Sequence, residues 1–330
     1  MRVGMYYNNN DVRVEEMPVP KIAPGELLVK VASSGICGSD VMEWYRIKKA
    51  PLVLGHEIAG EIVEIGEGVT KYKKGERVFV SHHIPCNTCR YCLNGHHTVC
   101  ETLRATNYDP GGFSEYIRIP ALNVDRGTFL LPDTMSFDQA VFIEPVACAV
   151  RAQRIAGLKQ GQSVLVLGSG ISGVIHIALA KGLGAGKIVA TDVNEYRLKA
   201  ARGFGADEAL NAKERLNGLY DLVIVCTSAL SAFYQALEAV DSGGTVLFFA
   251  PTEPEIELTI PVNDFWKKCV TLVPSYGNSP RDAQIAINLI NSGRINVNDM
   301  ITHRLPLSQL AQGFTLVSEA KNSIKVIIHI

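Results

Sequence analysis

The chain has 330 residues, about twice an average domain, so two domains are expected, each large enough to bury its own core. Its 32 basic and 33 acidic residues leave a formal charge of -1 without any long run of one sign, which excludes a nucleic-acid or lipid footprint and favours a small-molecule partner. No stretch approaches the roughly 20 apolar residues that span a bilayer, and Met1-Arg2-Val3-Gly4-Met5 runs into alternating sequence without a signal-peptide core, so a cytoplasmic protein is expected.

The first hundred or so residues read as short strands. Leu27 to Ala32, Ile58 to Ile65 and Arg77 to Ser81 are rich in β-branched residues, with Pro24-Gly25 and Lys74-Gly75 as turns between them. Three separated segments in this part carry metal-binding side chains: Gly35-Ile36-Cys37-Gly38-Ser39-Asp40, Gly55-His56-Glu57 and, later, Glu144-Pro145. Each alone is a weak signal. Together they offer a thiolate, an imidazole and a carboxylate, a set that leaves zinc an open fourth position.

Between the second and third segments, Cys86-x-x-Cys89-x-x-Cys92 is followed by Cys100. Four thiolates at this spacing close a tetrahedral zinc site with no open position, which makes it structural. Such usage of four of the eight cysteines points to a reducing compartment. His82, His83, His96 and His97 then read as solvated loop residues, since the shell is already complete. Cys148, Cys226 and Cys269 stand singly in apolar contexts and read as small buried hydrophobes.

From about Ser163 the texture changes to apolar strands alternating with helical segments, the pattern of a parallel sheet covered on both faces. The strands are Ser163 to Leu167, Lys187 to Thr191, Glu208 to Leu210, Asp221 to Cys226, Thr245 to Ala250 and Val270 to Pro274. The first runs directly into Gly168-Ser169-Gly170-Ile171-Ser172-Gly173 and then into a helical segment from Val174 to Leu183. Strand, glycines and helix in that order are what a dinucleotide site needs. The glycines permit the tight turn, the approach of a pyrophosphate and close helix packing, and the helix N-terminus supplies N–H groups to the phosphates. Asp192, nineteen residues past Gly173, is placed to accept the adenosine ribose hydroxyls and to repel a 2'-phosphate, which favours NAD over NADP. Arg197, five residues further, tempers that repulsion. The competing reading of Asp192 is a cap on the helix through Glu195 to Arg202. His176 reads as packing. After Tyr276 the alternation stops: a helix from about Arg281 to Ile290 leads to strands at Ile301 to Leu305 and Ser323 to Ile330, a tail expected to rejoin the first domain.

These residues, with Leu54-Gly55-His56-Glu57 and Gly111-Gly112-Phe113-Ser114-Glu115-Tyr116, resemble the zinc-containing medium-chain dehydrogenase/reductase family nearly end to end. Glu144-Pro145 and the Ala105-Thr106 segment before Asp109 look most like its sorbitol, threonine and sugar-alcohol-phosphate branch. The resemblance implies an α/β protein with a β-rich part. A chaperonin-10-like catalytic domain would cover residues 1-147 and 279-330, a Rossmann doubly wound parallel-sheet domain residues 148-278, and the active site would lie in the cleft between them. It implies two zinc ions per chain, with Cys37, His56 and a carboxylate from Glu57 or Glu144 at the catalytic one. Ser39 falls where the family places the hydroxyl that receives the alcohol proton. The activity implied is oxidation of a secondary alcohol or polyol by NAD, in a homodimer or homotetramer. A simple primary-alcohol dehydrogenase and a zinc-stabilised NAD-binding scaffold are the alternatives.

Two positions depart from the family pattern. Met42 stands where many members carry a proton-passing histidine, and Ser275-Tyr276 stands where the sorbitol enzymes carry Arg-Tyr. Charge makes a further expectation. One thiolate and one carboxylate neutralise Zn2+, so Glu57 and Glu144 should alternate on the metal rather than bind together. Trp44, Tyr45, Thr106 and Tyr108 flank the metal motifs and are candidates for the substrate pocket.

Overall fold

The computed structural model describes all residues, Met1–Ile330. Two compact units emerge: Met1–Ala147 with Asn278–Ile330, and Cys148–Gly277.

In the first unit a hairpin of Arg2–Asn8 and Asp11–Glu16, extended by Leu52–Val53, forms a three-stranded sheet. A larger sheet runs in the order Ile301–Pro306, Lys325–His329, Leu27–Gly35, Glu57–Ile65, Arg77–Val80, Thr128–Leu130. Leu27–Gly35 is its hub. It pairs along its length with Glu57–Ile65, at its start with Tyr116–Ile119 and at its end with Lys325–His329. Its alternation places Leu27, Val29 and Val31 in one core with Ile58, Ile62, Val78 and Ile117. The pairing of Ile327 with Gly35 brings the last strand beside the strand that leads to Cys37. The helix Leu310–Glu319 was not foreseen from sequence. Its pattern is interrupted by Gly313, where a side chain would press on Ile36 Cδ1 at 2.6 Å, so the glycine serves close packing rather than helix propensity.

The second unit is a six-stranded parallel sheet in the order Glu208–Asn211, Lys187–Asp192, Ser163–Leu167, Tyr220–Val225, Val240–Phe248, Thr271–Pro274. Alternate residues of one strand enter opposite cores. Val164 and Val166 pack with Ile177, Ala180 and Leu198, whereas Leu165 and Leu167 pack with Phe233, Ala236 and Phe265. Both faces are therefore covered, and this explains why the strands read as continuous apolar runs. The order reverses between Ser163–Leu167 and Tyr220–Val225, the switch point at which ligands bind in such sheets.

Two expectations about single residues need correction. Cys269 is exposed, not buried: it follows Lys267 and Lys268 and ends the helix Val262–Lys268 in a left-handed conformation, φ 53°. His82 and His83 are not freely solvated either: both are half-buried. Burial, above all, lowers the pKa of each, and His83 Nδ1 lies 2.9 Å from the Thr106 carbonyl.

Candidate metal and cofactor sites

Cys37 follows the hub strand and enters a short turn, Gly38–Asp40, while His56 precedes and Glu57 opens the neighbouring strand. One ligand atom from each of Cys37, His56 and Glu57 falls within 4.8 Å of the others. Glu144 is not in that cluster. It stands in the first turn of Ile143–Ile155, where its Oε1 accepts from Asn278 Nδ2 at 3.3 Å.

Asp40 supports the cluster twice. Its Oδ2 accepts the Cys37 N–H at 3.0 Å, and its Oδ1, without a well-directed hydrogen bond, lies 3.4 Å from His56 Nδ1 and 3.6 Å from Arg46. A carboxylate facing Nδ1 turns Nε2 of His56 to a metal, the usual outer-shell arrangement. Burial works to lower the His56 pKa, but Asp40 and the Cys37 sulfur outweigh it and hold the ring well above its ordinary range. The cluster is thus built to hold positive charge, and a thiolate, an imidazole and a carboxylate are a donor set that fits zinc.

Sequence reasoning missed three neighbours. Lys325, fully buried on the last strand, pairs with Glu57 Oε2 and also approaches the Ile36 carbonyl at 3.3 Å. Gly35 is required beneath this pair, since a Cβ there would collide with the Glu57 carboxylate. Arg46 donates through Nε to the Ser39 carbonyl at 2.9 Å and through Nη2 to the Ser39 hydroxyl at 3.1 Å. His82 lies with its ring centroid 5.0 Å from that of His56. Nothing in their spacing marks any of the three.

The pocket candidates separate. Tyr108 is buried, and its hydroxyl approaches the Gly55 carbonyl at 3.5 Å. Thr106 Oγ1 accepts the Ile84 N–H at 2.7 Å and so knits the loop. Tyr45 is exposed and stacks under Arg46, with Trp44 beside it.

The sulfurs of Cys86, Cys89, Cys92 and Cys100 also gather within 4.8 Å. Hydrogen bonds from Thr88, then from the Cys89 N–H, push the Cys86 thiol down to about 5, whereas burial raises Cys92. The set fits a closed tetrahedral zinc. In the second unit, Gly168 turns with φ 93°, and Gly170 caps Ile171–Gly182, which carries Ser172 and Gly173 in its first turn. Asp192 Oδ2 accepts the Ser169 N–H at 2.8 Å and Oδ1 the Asn194 N–H at 2.9 Å. The cap on Glu195–Gly203 is Asn194, whose side chain accepts from Tyr196 at 2.8 Å, so Asp192 is tied to the glycine turn instead. The Arg197 guanidinium lies beside Gly170, with Nε buried and unpaired. His176 is buried edge-on to Phe249, and Arg151 donates to Ser275 at 3.0 Å.

Comparison with known proteins agrees with this chemistry. Residues 23–128 match the alcohol dehydrogenase GroES-like domain, and residues 173–292 match the zinc-binding dehydrogenase domain. Chicken (Gallus gallus) sorbitol dehydrogenase is 32% identical, with 92% of this chain and 89% of the relative covered. L-threonine 3-dehydrogenase of Bacillus licheniformis is 34% identical, covering 95% and 94%. Among solved structures, alcohol dehydrogenase TADH from Thermus sp. ATN1 superposes with a TM-score of 0.88 at 29% identity, covering 100% of this chain and 99% of that one. The chain belongs to the zinc-containing medium-chain dehydrogenase/reductase family. Within it, the chain falls in the sorbitol, threonine and polyol dehydrogenase-like branch and is a zinc-dependent alcohol or polyol oxidoreductase using a nicotinamide cofactor. No helix is long and apolar enough to cross a membrane.

Proposed function

We propose that Cys37, His56 and Glu57 hold a catalytic zinc, that Cys86, Cys89, Cys92 and Cys100 hold a structural one, and that the chain oxidises secondary alcohols or polyols with NAD. The gathering of Cys37, His56 and Glu57 within 4.8 Å carries this reading. When bound, zinc acidifies an alcohol and the nicotinamide accepts hydride. The chain's own residues prepare the reaction. Asp40 orients His56, and Lys325 neutralises the Glu57 oxygen it pairs with, which leaves the other oxygen to the cluster. Glu144 is the carboxylate that exchanges with Glu57.

Ser39 accepts the alcohol proton on its hydroxyl oxygen. One lone pair of that oxygen is already committed to Arg46, so the hydroxyl is fixed in direction. Arg46 cannot carry the proton on, because a guanidinium stays protonated, and Met42 has no basic atom. The proton therefore leaves by another route. Backbone N–H groups of Gly170, Ile171, Ser172 and Gly173 bind the pyrophosphate, and Gly168, whose own N–H is given to the Thr191 carbonyl at 2.9 Å, makes the turn that aims them. Asp192 keeps lone pairs for the ribose hydroxyls after its two backbone bonds, and this supports NAD over NADP; Arg197 flanks the phosphates. Eight free thiols suit the cytoplasm. A homodimer or homotetramer is supported by exposed apolar side chains on the second unit, Val262 and Trp266 foremost.

The test is NAD reduction by the purified chain over a panel of secondary alcohols, polyols and threonine, with zinc measured alongside. Two zincs per chain are expected. Ser39→Ala should lose about 100- to 10,000-fold in kcat and keep both metals. A chain holding both zincs that reduces no NAD with any alcohol overturns the reading.

A further inference from the structure

His82 is a half-buried polar group beside the Cys37, His56 and Glu57 cluster that the mechanism leaves unused. Its ring stands 5.0 Å from His56, 4.0 Å from His83 and 6.4 Å, edge-on, from Tyr108. Its neighbours are committed: His83 Nδ1 to the Thr106 carbonyl, the Tyr108 hydroxyl to the Gly55 carbonyl. His82 Nδ1 is buried and makes no hydrogen bond. The backbone beneath it is fixed, since the His82 carbonyl accepts from the buried Asn123 side chain at 3.0 Å. Buried nitrogens are rarely left unpaired, and one beside a reaction centre marks where a ligand supplies the missing partner.

We propose that His82 determines specificity by hydrogen-bonding a second hydroxyl, on the carbon next to the one oxidised, so that the site favours vicinal diols over simple secondary alcohols. The inference rests on the reading of Cys37, His56 and Glu57 as the alcohol-binding centre. A hydroxyl is the group that fits. A hydroxyl both donates and accepts, so it pairs with Nδ1 in either tautomer of the ring. A methyl group in the same place leaves Nδ1 orphaned.

The experiment compares butane-2,3-diol, each stereoisomer in turn, with butan-2-ol on the zinc-loaded chain with NAD. The variants are His82→Phe, which keeps the ring, and His82→Asn, which returns an amide near Nδ1. His82→Phe should lower kcat/KM for the preferred diol roughly tenfold to a hundredfold and leave butan-2-ol within about twofold. Its dissociation constant for the diol, measured without cofactor, should rise in parallel, and His82→Asn should recover part of the loss. Zinc content should stay unchanged in both variants. Equal losses on the two alcohols, an unaltered diol, or loss of zinc each overturn the proposal. A zinc-loaded wild-type chain that oxidises no alcohol at all overturns the functional reading beneath it instead.

Discussion

At the scale of single residues, the cluster of Cys37, His56 and Glu57 shows how much of a site is set by the groups around it. Cys37, His56 and Glu57 were legible because each sits in a short motif. Lys325 was not: it meets Glu57 across 268 residues of sequence, and a lysine in a final apolar strand carries no signal of its own. Asp40 was visible in the motif but given no role until the fold turned it to His56. His176 offers a clean test of burial. Burial drives its pKa down from an ordinary 6.5 to about 3, so the folded chain holds it neutral over a range in which the unfolded chain protonates it. The unfolded state then binds more protons, and stability falls as pH drops from 6.5 towards 3, by up to about 1.4 kcal/mol per pH unit. In His176→Leu that part of the slope should vanish. Urea midpoints of the two proteins across this window measure it, and parallel curves would contradict it.

At the scale of elements, the glycine turn was the most readable part of the molecule. Strand Ser163–Leu167 stands where its apolar run placed it, because a strand buried on both faces has no polar residue to blur its ends. The turn that follows has little slack. A Cβ at Gly173 would overlap the Gly168 carbonyl oxygen and lie 2.9 Å from its carbon, and both are backbone atoms that cannot rotate away. Gly173→Ala should therefore lift the helix off the turn and weaken NADH binding by more than about tenfold, while both zincs remain. Fluorescence titration with NADH checks this, and an unchanged affinity would refute it. The helix Leu310–Glu319 was illegible for the opposite reason: its glycine is there for contact with Ile36, and that contact cannot be seen until both elements are placed.

At the scale of the whole molecule, sequence reading gave the classes of sheet but not the surface. On the second unit Val262 and Trp266 are 72% and 75% exposed, Ile256 and Tyr276, about half exposed, line one pocket with Pro274, and Thr271–Pro274 is an edge strand of the sheet. Exposed apolar side chains and a free sheet edge suit the proposed self-association of the chain. Trp266→Lys should reduce the mass seen in sedimentation towards 35.9 kDa, with zinc content and NADH binding kept. Unaltered mass would place the contact elsewhere.

The position of Lys325–His329 between Ile301–Pro306 and Leu27–Gly35 also bears on the order in which the protein is made. The first unit begins earlier on the ribosome, yet its main sheet lacks an inner strand, and Glu57 lacks its counter-charge, until residue 325 has emerged. The second unit is continuous in sequence and complete by Gly277. During synthesis the later-starting unit can finish folding while the earlier one waits, and the cluster of Cys37, His56 and Glu57, although its residues lie near the start, is among the last parts of the nascent chain to be completed.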